Sequence, residues 1–365
     1  MRIRNLTIEQ LRVFDHAQFE PAPGINLITG ANGAGKTTVL EAIHLLSSGR
    51  SFRGSVRDSL IRQGQSELRV FASLLSEADD RPVRLGLSRS LRGWSARLDG
   101  EPVELLSRLF QELAVVCFEP DSHALVSGGS EHRRRFIDWA LFHVEHAFLP
   151  VWRRYQRALK QRNALLKQSG GAAAGLDSWE QELARQGAEL TRQRQQWFAA
   201  FQPLLAESLA RFLPELGELR LRYLPGWSGD SNEEGLAAAL AGARSRDLLL
   251  GHTSVGPHRA DWSIGFERAP AREMFSRGQE KLVVLAALLA QALGFSRDRG
   301  QWPVLLLDDL ASELDAHHLS QTLDYLIQVP AQVFITGTSP IPLPADALRP
   351  SAMFHVEHAA IAPLL

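Results

Sequence analysis

The run Gly30-Ala31-Asn32-Gly33-Ala34-Gly35-Lys36-Thr37 constrains this chain more than any other stretch. It fits G-x-x-x-x-G-K-[ST], the phosphate-binding loop. The motif needs a strand before it and a helix after it, and both are present. Pro23-Gly24 turns the chain into Ile25-Asn26-Leu27-Ile28-Thr29, a short apolar run of buried-strand type. Thr38 and the residues after it place Val39, Ile43 and Leu46 on one helical face. Glycines let successive backbone N–H groups turn inward as an anion nest, and the helix N-terminus adds its dipole. Lys36 is positioned to reach the β- and γ-phosphates of ATP, and the Thr37 hydroxyl to ligate Mg²⁺. A chance glycine-rich turn would carry neither flank.

A phosphate loop requires an acidic partner at the end of a neighbouring strand. Val304-Leu305-Leu306-Leu307 supplies the strand, and Asp308-Asp309 follow at its carboxyl edge, where ligands bind in such sheets. Asp308 is expected in the Mg²⁺ shell, and Asp309 as the group that orients or deprotonates the attacking water. The competing explanation is a helix N-cap, which also favours Asp. Lys36 and Asp308 lie 272 positions apart (308 − 36). One nucleotide-binding core must therefore be split by an insertion.

The insertion is helical. Trp152, Tyr155, Leu159 and Leu166 share one face, and Arg153, Arg157, Lys160 and Lys167 another. Residues 169–175 are glycine- and alanine-rich, as a linker would be. Asp177 with Glu180 resembles a capping box, and Leu183, Leu190, Trp197 and Leu204 recur every seven residues. Two such helices form an antiparallel arm, the second roughly 50 Å long if unbroken at 1.5 Å per residue. A strand at Leu219-Arg220-Leu221-Arg222-Tyr223-Leu224 and a helix capped by Ser231 with Glu234 bring the chain back.

The expected fold class is α/β: a P-loop nucleotide-binding head with an antiparallel β subdomain and an inserted helical arm. The head takes residues 1–125 and 245–365, and the arm 126–244. In the head, antiparallel strands are expected around residues 2–8, 67–74, 83–88 and 94–100. Short helices are expected at 58–62 and 105–111, core strands at 113–118 and 332–336, and a final strand at 353–359.

Charge narrows the partners. The net charge is −1. From Glu131 to Gln168, nine basic residues face three acidic ones, so this stretch carries +6 and the remainder −7. A local basic surface on a neutral protein can bind a phosphate backbone. Arg133, Arg134, Arg135, Arg153, Arg157 and Lys160 are the candidates for DNA, bound through charge and shape and not through base edges. Cys117 stands alone in the sequence and suits a buried strand position. The apolar run at residues 282–290 is too short to span a bilayer, which points to a cytoplasmic protein with no membrane partner. Phe-His-Val-Glu-His-Ala occurs twice, from Phe142 and from Phe354, but His at i and i+3 with Glu between them is not the H-E-x-x-H zinc motif.

A third element is Ser276-Arg277-Gly278-Gln279-Glu280-Lys281. Ser276 with Gln279 is an S-x-x-Q capping box opening an apolar helix. It is either a capped helix and nothing more, or a helix N-terminus that serves as a second anion site through Ser276, Gly278 and Gln279. A spare anion site has a use if it completes the γ-phosphate site of a second copy.

The phosphate loop, this stretch, Leu307-Asp308-Asp309 and Ser312-Glu313-Leu314-Asp315 occur in the order of an ABC-type head of the SMC-like branch. They correspond to Walker A, signature, Walker B and D-loop. Ser51-Phe52-Arg53, Phe118-Glu119-Pro120-Asp121, Arg133-Arg134-Arg135-Phe136-Ile137-Asp138, residues 159–166, Gly256-Pro257-His258-Arg259 and Met353-Phe354-His355-Val356-Glu357 narrow the match. Over essentially its whole length the chain resembles the RecF family of bacterial DNA replication and repair proteins. The resemblance implies ATP-dependent homodimerisation, slow ATP hydrolysis, and binding to single-stranded, gapped and junction DNA. It implies action with RecO and RecR to load RecA, and support of the SOS response. Lys36 and Thr37 then bind phosphate and Mg²⁺, Asp308 is the Walker B carboxylate, and Ser276 acts in trans. Two departures stand out: Asp309 where many heads carry glutamate, and Thr336 where transporters carry a switch histidine. A transporter-type head or another SMC-like ATPase subunit are the alternatives.

Overall fold

The computed structural model describes residues 1–53, 60–76, 80–168, 175–341 and 347–364. The chain divides into two compact units, Met1–Ser122 with Ala292–Leu365, and His123–Gln291.

The first unit opens with β1 (Arg2–Leu11) and β2 (Phe14–Phe19), then β3 (Ile25–Thr29) and α1 (Lys36–Ser48). β4 (Glu67–Leu75), β5 (Pro82–Ser90), β6 (Gly93–Leu98) and β7 (Glu101–Pro102) follow, then α2 (Leu106–Glu112) and β8 (Val115–Phe118). The expected helix over residues 58–62 does not form in its described part. Residues 58 and 59 lie outside the described residues, and Ile61 makes a β-bridge to Leu11.

The second unit contains α3 (Ala124–Ser127), α4 (Ser130–Val144), α5 (Phe148–Leu166) and α6 (Leu176–Phe212). Next come β9 (Leu219–Leu224), α7 (Glu233–Leu250) and β10 (Asp261–Phe266). The division between units falls within α8 (Arg277–Arg299). The first unit resumes with β11 (Val304–Leu307), α9 (Leu310–Glu313), α10 (Ala316–Gln328), β12 (Val333–Gly337), β13 (Ala352–Glu357) and β14 (Ala360–Pro363).

Two six-stranded sheets build the first unit. One is antiparallel, in the order β2-β1-β4-β5-β6-β7. The other runs β14-β13-β3-β12-β11-β8, parallel from β13 to β8, with β14 added antiparallel at the edge. Every residue of β3, β11 and β12 is buried, which is the pattern of parallel strands covered on both faces. The final strand expected from sequence ends at Glu357; His358 and Ala359 adopt left-handed backbone and turn the chain into β14. Cys117 lies on β8, partly buried against the core, and burial pushes its thiol well above the ordinary range.

The second unit is held by buried arginines. α5 buries Val151, Tyr155, Ala158, Arg162 and Leu166 against α6. The pairs Arg162–Glu180 and Tyr155–Gly187 show the two helices running antiparallel. Gly187 is needed there, because a Cβ would meet Leu236 Cδ2 at 2.5 Å and Tyr155 Cε2 at 3.2 Å. α6 has 37 residues, so it is about 55 Å long at 1.5 Å per residue. Leu183, Leu190 and Leu204 are buried as the seven-residue spacing predicts, while Trp197 is half-buried and stacks on Phe201.

The capping box expected at Asp177 is not formed. α6 starts at Leu176 with Gly175 as N-cap, and both carboxylates serve other partners. Arg162, fully buried, donates to Glu180 Oε1 at 2.9 Å, Asp247 Oδ2 at 2.8 Å and Thr253 Oγ1 at 2.9 Å. Arg244 donates to Asp177 and Glu180. α7 is capped by Asn232, one residue after the expected Ser231, with its side chain accepting from Gly235 N.

The motif segments that carry the resemblance converge on residues 253–261. Arg133 donates to Asp261 at 2.5 Å and to the carbonyls of Leu125, Val126 and Gly128. Arg134 donates to Ala260 O, and Arg194 to Pro257 O and both oxygens of Asp138. Asn163 accepts from Thr253 N and Oγ1. His258 Nε2 lies 3.0 Å from Thr253 O, so it must donate there, which leaves Nδ1 to accept from the Tyr155 hydroxyl at 2.6 Å. These bonds, with β10 pairing to β9, place residues 245–291 in the helical unit.

Arg162→Met leaves Asp247 buried without its cation and should destabilise the unit by about 3–5 kcal/mol. Urea unfolding followed by circular dichroism measures it; Arg153→Met, on the exposed face, should change stability by less than about 0.5 kcal/mol. Burial lowers the His258 pKa from 6.5 to about 4. The unfolded chain therefore binds a proton at a pH where the folded chain does not, so stability should fall as pH drops from 6.5 toward 4. Thermal melts across that range, with His258→Gln as the flatter reference, read the effect.

Candidate nucleotide site

Strand order explains the site. β12 lies between β3 and β11, with Leu307 opposite Ile335 and Gly337 opposite Thr29. The carboxyl ends of three adjacent parallel strands thus deliver Gly30, Thr336 and Asp308 to one edge.

Gly30 has φ +150°, and a Cβ there would meet Val356 O at 2.3 Å. Gly35, also left-handed, is the N-cap of α1. Lys36 opens the helix and is nearly buried; its Nζ donates to Gly30 O at 2.8 Å and Ala31 O at 2.9 Å. The ammonium is thereby fixed against the loop carbonyls. α1 is anchored from its first turns, since the fully buried Glu41 receives a bidentate pair from Arg12 at 2.9 and 2.7 Å and a bond from Ser51 Oγ. Neither Arg12 nor Glu41 announces this role in sequence, because they meet across 29 positions. Ser51 opens Ser51-Phe52-Arg53, one of the segments in which the chain resembles the family.

Thr37 Oγ1 donates to Asp308 Oδ1 at 3.0 Å, and Thr336 Oγ1 to the same oxygen at 2.7 Å. Asp308 is 5% exposed. Burial raises its carboxyl above the ordinary range, and the two hydroxyls pull it partly back. A hydroxyl and a carboxylate at this separation are hard oxygen donors, the class that Mg²⁺ takes. The residues present therefore fit the cation.

Asp309 occupies the N-cap position of α9 but makes no side-chain cap bond. Its carboxylate accepts from Ser312 Oγ at 2.9 Å instead, and its N–H donates to Thr336 Oγ1 at 2.8 Å. Its backbone is left-handed, φ 51° and ψ 38°. In the D-loop segment, Asp315 caps α10 by accepting from His318 N at 3.0 Å.

The structure brings Lys36, Thr37, Asp308 and Asp309 together. Ser276, Gly278 and Gln279 belong to the other unit. There Ser276 N donates to Gln279 Oε1 at 3.0 Å and Gln279 N to Ser276 Oγ at 3.2 Å, a reciprocal capping box as expected. Ser276 and Gly278 are exposed at the start of α8. By length and composition α8 could cross a bilayer, but 61% of its apolar window is buried inside the molecule, as in a core helix.

The basic candidates separate by burial. Arg133 is 3% exposed and committed to Asp261, and Arg134 is half-buried against Ala260 O. Arg135 on α4 is exposed, as are Arg153, Arg154, Arg157 and Lys160 on α5 and Lys167 just past its end. The two copies of Phe-His-Val-Glu-His-Ala differ in form, one ending α4 and one running through β13; among the described residues no His, Cys, Asp or Glu group could hold a metal ion by itself.

Residues 2–359 match the model of the RecF/RecN/SMC N-terminal domain family. A Stenotrophomonas maltophilia (strain R551-3) protein described as DNA replication and repair protein RecF is 52% identical over 364 residues, covering 99% of both chains. Its namesake in Xanthomonas axonopodis pv. citri (strain 306) is 51% identical, covering 99% of this chain and 98% of that protein. Among solved structures, the recombination mediator RecF with ATP, from the RecFOR pathway, superposes with TM-score 0.89 at 26% identity, covering 100% of this chain and 97% of that one. An Smc head bound to the winged-helix domain of ScpA superposes with TM-score 0.61 at 17% identity, a likeness of fold.

Proposed function

The chain belongs to the RecF family, within the wider RecF/RecN/SMC N-terminal domain group, and on that premise we propose that it is an ATP-controlled DNA-binding protein of recombinational gap repair, replication and SOS induction. The observation that carries this reading is the cluster of Lys36, Thr37, Asp308 and Asp309 at one sheet edge. The solved RecF structures with ATP and an ATP analogue support it from outside.

The loop from Gly30 to Thr38 cradles the phosphates through its N–H groups, and Lys36 neutralises them. Thr37 and Asp308 hold Mg²⁺, which when bound offsets charge on the phosphate oxygens. Asp309 orients the attacking water as a base. It is one methylene shorter than glutamate, which suits a slow, switch-like ATPase. Thr336 stands where transporter heads carry histidine, which disfavours the transporter alternative. Ser276, Gly278 and Gln279 form an exposed helix N-terminus available to the γ-phosphate of a second copy, so that ATP joins a homodimer.

DNA meets the outer side of α5 through Arg153, Arg157 and Lys160, with Arg135 on α4 in support. Single-stranded, gapped and junction DNA are the substrates, and RecO and RecR the partners with which the protein loads RecA.

Sedimentation of Asp309→Asn with Mg-ATP, with and without gapped DNA, tests the shared site. A dimer that tightens on gapped DNA, and that Lys36→Met abolishes, is expected. A monomer under all conditions would overturn the role of Ser276 in trans. The DNA surface has its own test in salt titration. Arg157→Ala with Lys160→Ala should reduce the slope of log K against log salt by roughly 1.4–1.8 for two lost phosphate contacts. An unchanged slope sends the DNA elsewhere.

A further inference from the structure

We propose that Thr336 is a positioning residue whose single hydroxyl orients both carboxylates of the site, Asp308 through its side chain and Asp309 through its backbone. The proposal rests on the ATPase reading above for its consequence, but not for its geometry.

The hydroxyl has one proton and two lone pairs, and the structure uses both functions. The proton goes to Asp308 Oδ1 at 2.7 Å. A lone pair accepts the Asp309 N–H at 2.8 Å. Thr336 is 1% exposed and lies at the end of β12, the strand between those bearing the phosphate loop and the two aspartates. β12 is the neighbour of β11 on that side, and β8 flanks β11 on the other. Asp309 is the residue that most needs such a tie. Its left-handed backbone is uncommon for residues with a side chain, although Asp tolerates it better than most, and hydrogen bonds from the surroundings hold it there. The bond to Thr336 holds the amide, and the Ser312 hydroxyl holds the carboxylate at 2.9 Å. With the Thr336 hydroxyl removed, the Asp309 amide loses its acceptor, and Asp308 keeps only Thr37 of its two hydroxyl donors.

Valine replaces the hydroxyl by a methyl at nearly constant shape, and serine keeps the hydroxyl while losing the methyl. Amide hydrogen exchange reads the hold directly, without nucleotide. Thr336→Val should speed exchange of the Asp309 amide by about tenfold or more, the loss of one buried hydrogen bond, while Leu306 and Leu307 of β11 stay protected. Thr336→Ser should restore the slow rate. In the presence of ATP, the valine variant should lose about tenfold or more in kcat and in the Mg²⁺-dependent gain in ATP affinity. ATP affinity measured in EDTA should stay at the wild-type level, and serine should rescue both losses.

Wild-type exchange at Asp309 in the valine variant would overturn the proposal. So would an equal loss in valine and serine variants, since that outcome assigns the effect to packing by the methyl. A wild-type protein that fails to bind Mg-ATP would instead defeat the ATPase reading, with the exchange result still deciding whether Thr336 holds Asp309.

Discussion

A carboxylate buried at the end of an all-apolar strand is costly unless hydrogen bonds surround it. Asp308 meets that condition with two hydroxyls, one from α1 and one from β12. Each donor sits on a different element, so the carboxylate fixes those elements against one another. The phosphate-loop helix cannot shift along the sheet without breaking Thr37–Asp308, and β12 cannot slip one residue without withdrawing Thr336. Parallel register and site geometry are therefore the same constraint. Burial also keeps the Asp308 carboxyl above its ordinary range, which makes the group responsive to any positive charge placed beside it.

The helical unit solves a related problem with charges of the other sign. Arg133, Arg162 and Arg194 are all nearly or fully buried, and each is met by at least one carboxylate and one further oxygen. A planar guanidinium with five donors can bind several elements at once, which a lysine ammonium cannot do in fixed geometry. Lysine stands at only four positions in this chain, and none of them is in this buried network. The partners cluster at Gly256-Pro257-His258-Arg259 and its flanks, so this short segment works as the common anchor of α4, α5 and α6.

Local signals in the sequence transmitted well, and distant ones did not. The phosphate loop, the strand before Asp308 and the Ser276–Gln279 box depend on neighbours within a few residues, and all formed as their spacing required. Asp177 failed as a cap because Arg244, 67 positions away, takes its carboxylate. Arg133 sits in a local basic run, yet its partner Asp261 lies 128 positions on. Arg162 shows the same blindness: helical periodicity puts it on the inner face of α5, and only the fold reveals the acids waiting there. In the sequence Thr336 is marked by its place at a strand end and by standing where transporter heads carry histidine, and neither signal points to a tie between the two aspartates. Its importance comes from which strands lie beside it, and strand order is not written in any local pattern.

The split of the head raises a question of cost that simple polymer arguments can answer. β8 and β11 pair in parallel although 186 positions separate Phe118 from Val304 (304 − 118). A helical crossover would need about a dozen residues. Lengthening a flexible connection from that size to this one costs roughly 2–2.5 kcal/mol in loop closure, because the penalty grows only with the logarithm of length. The inserted segment is folded, with buried ion pairs and apolar faces of its own. Burying a few aliphatic side chains of β8 and β11 outweighs the closure term, at about 1.5–3 kcal/mol for each fully buried Val or Leu. The sheet can therefore recruit β11 and the aspartates that follow it from far along the chain. By the same arithmetic, doubling the insertion again would cost only about 0.6 kcal/mol more, so nucleotide-site geometry places almost no limit on how long an arm this kind of head can carry.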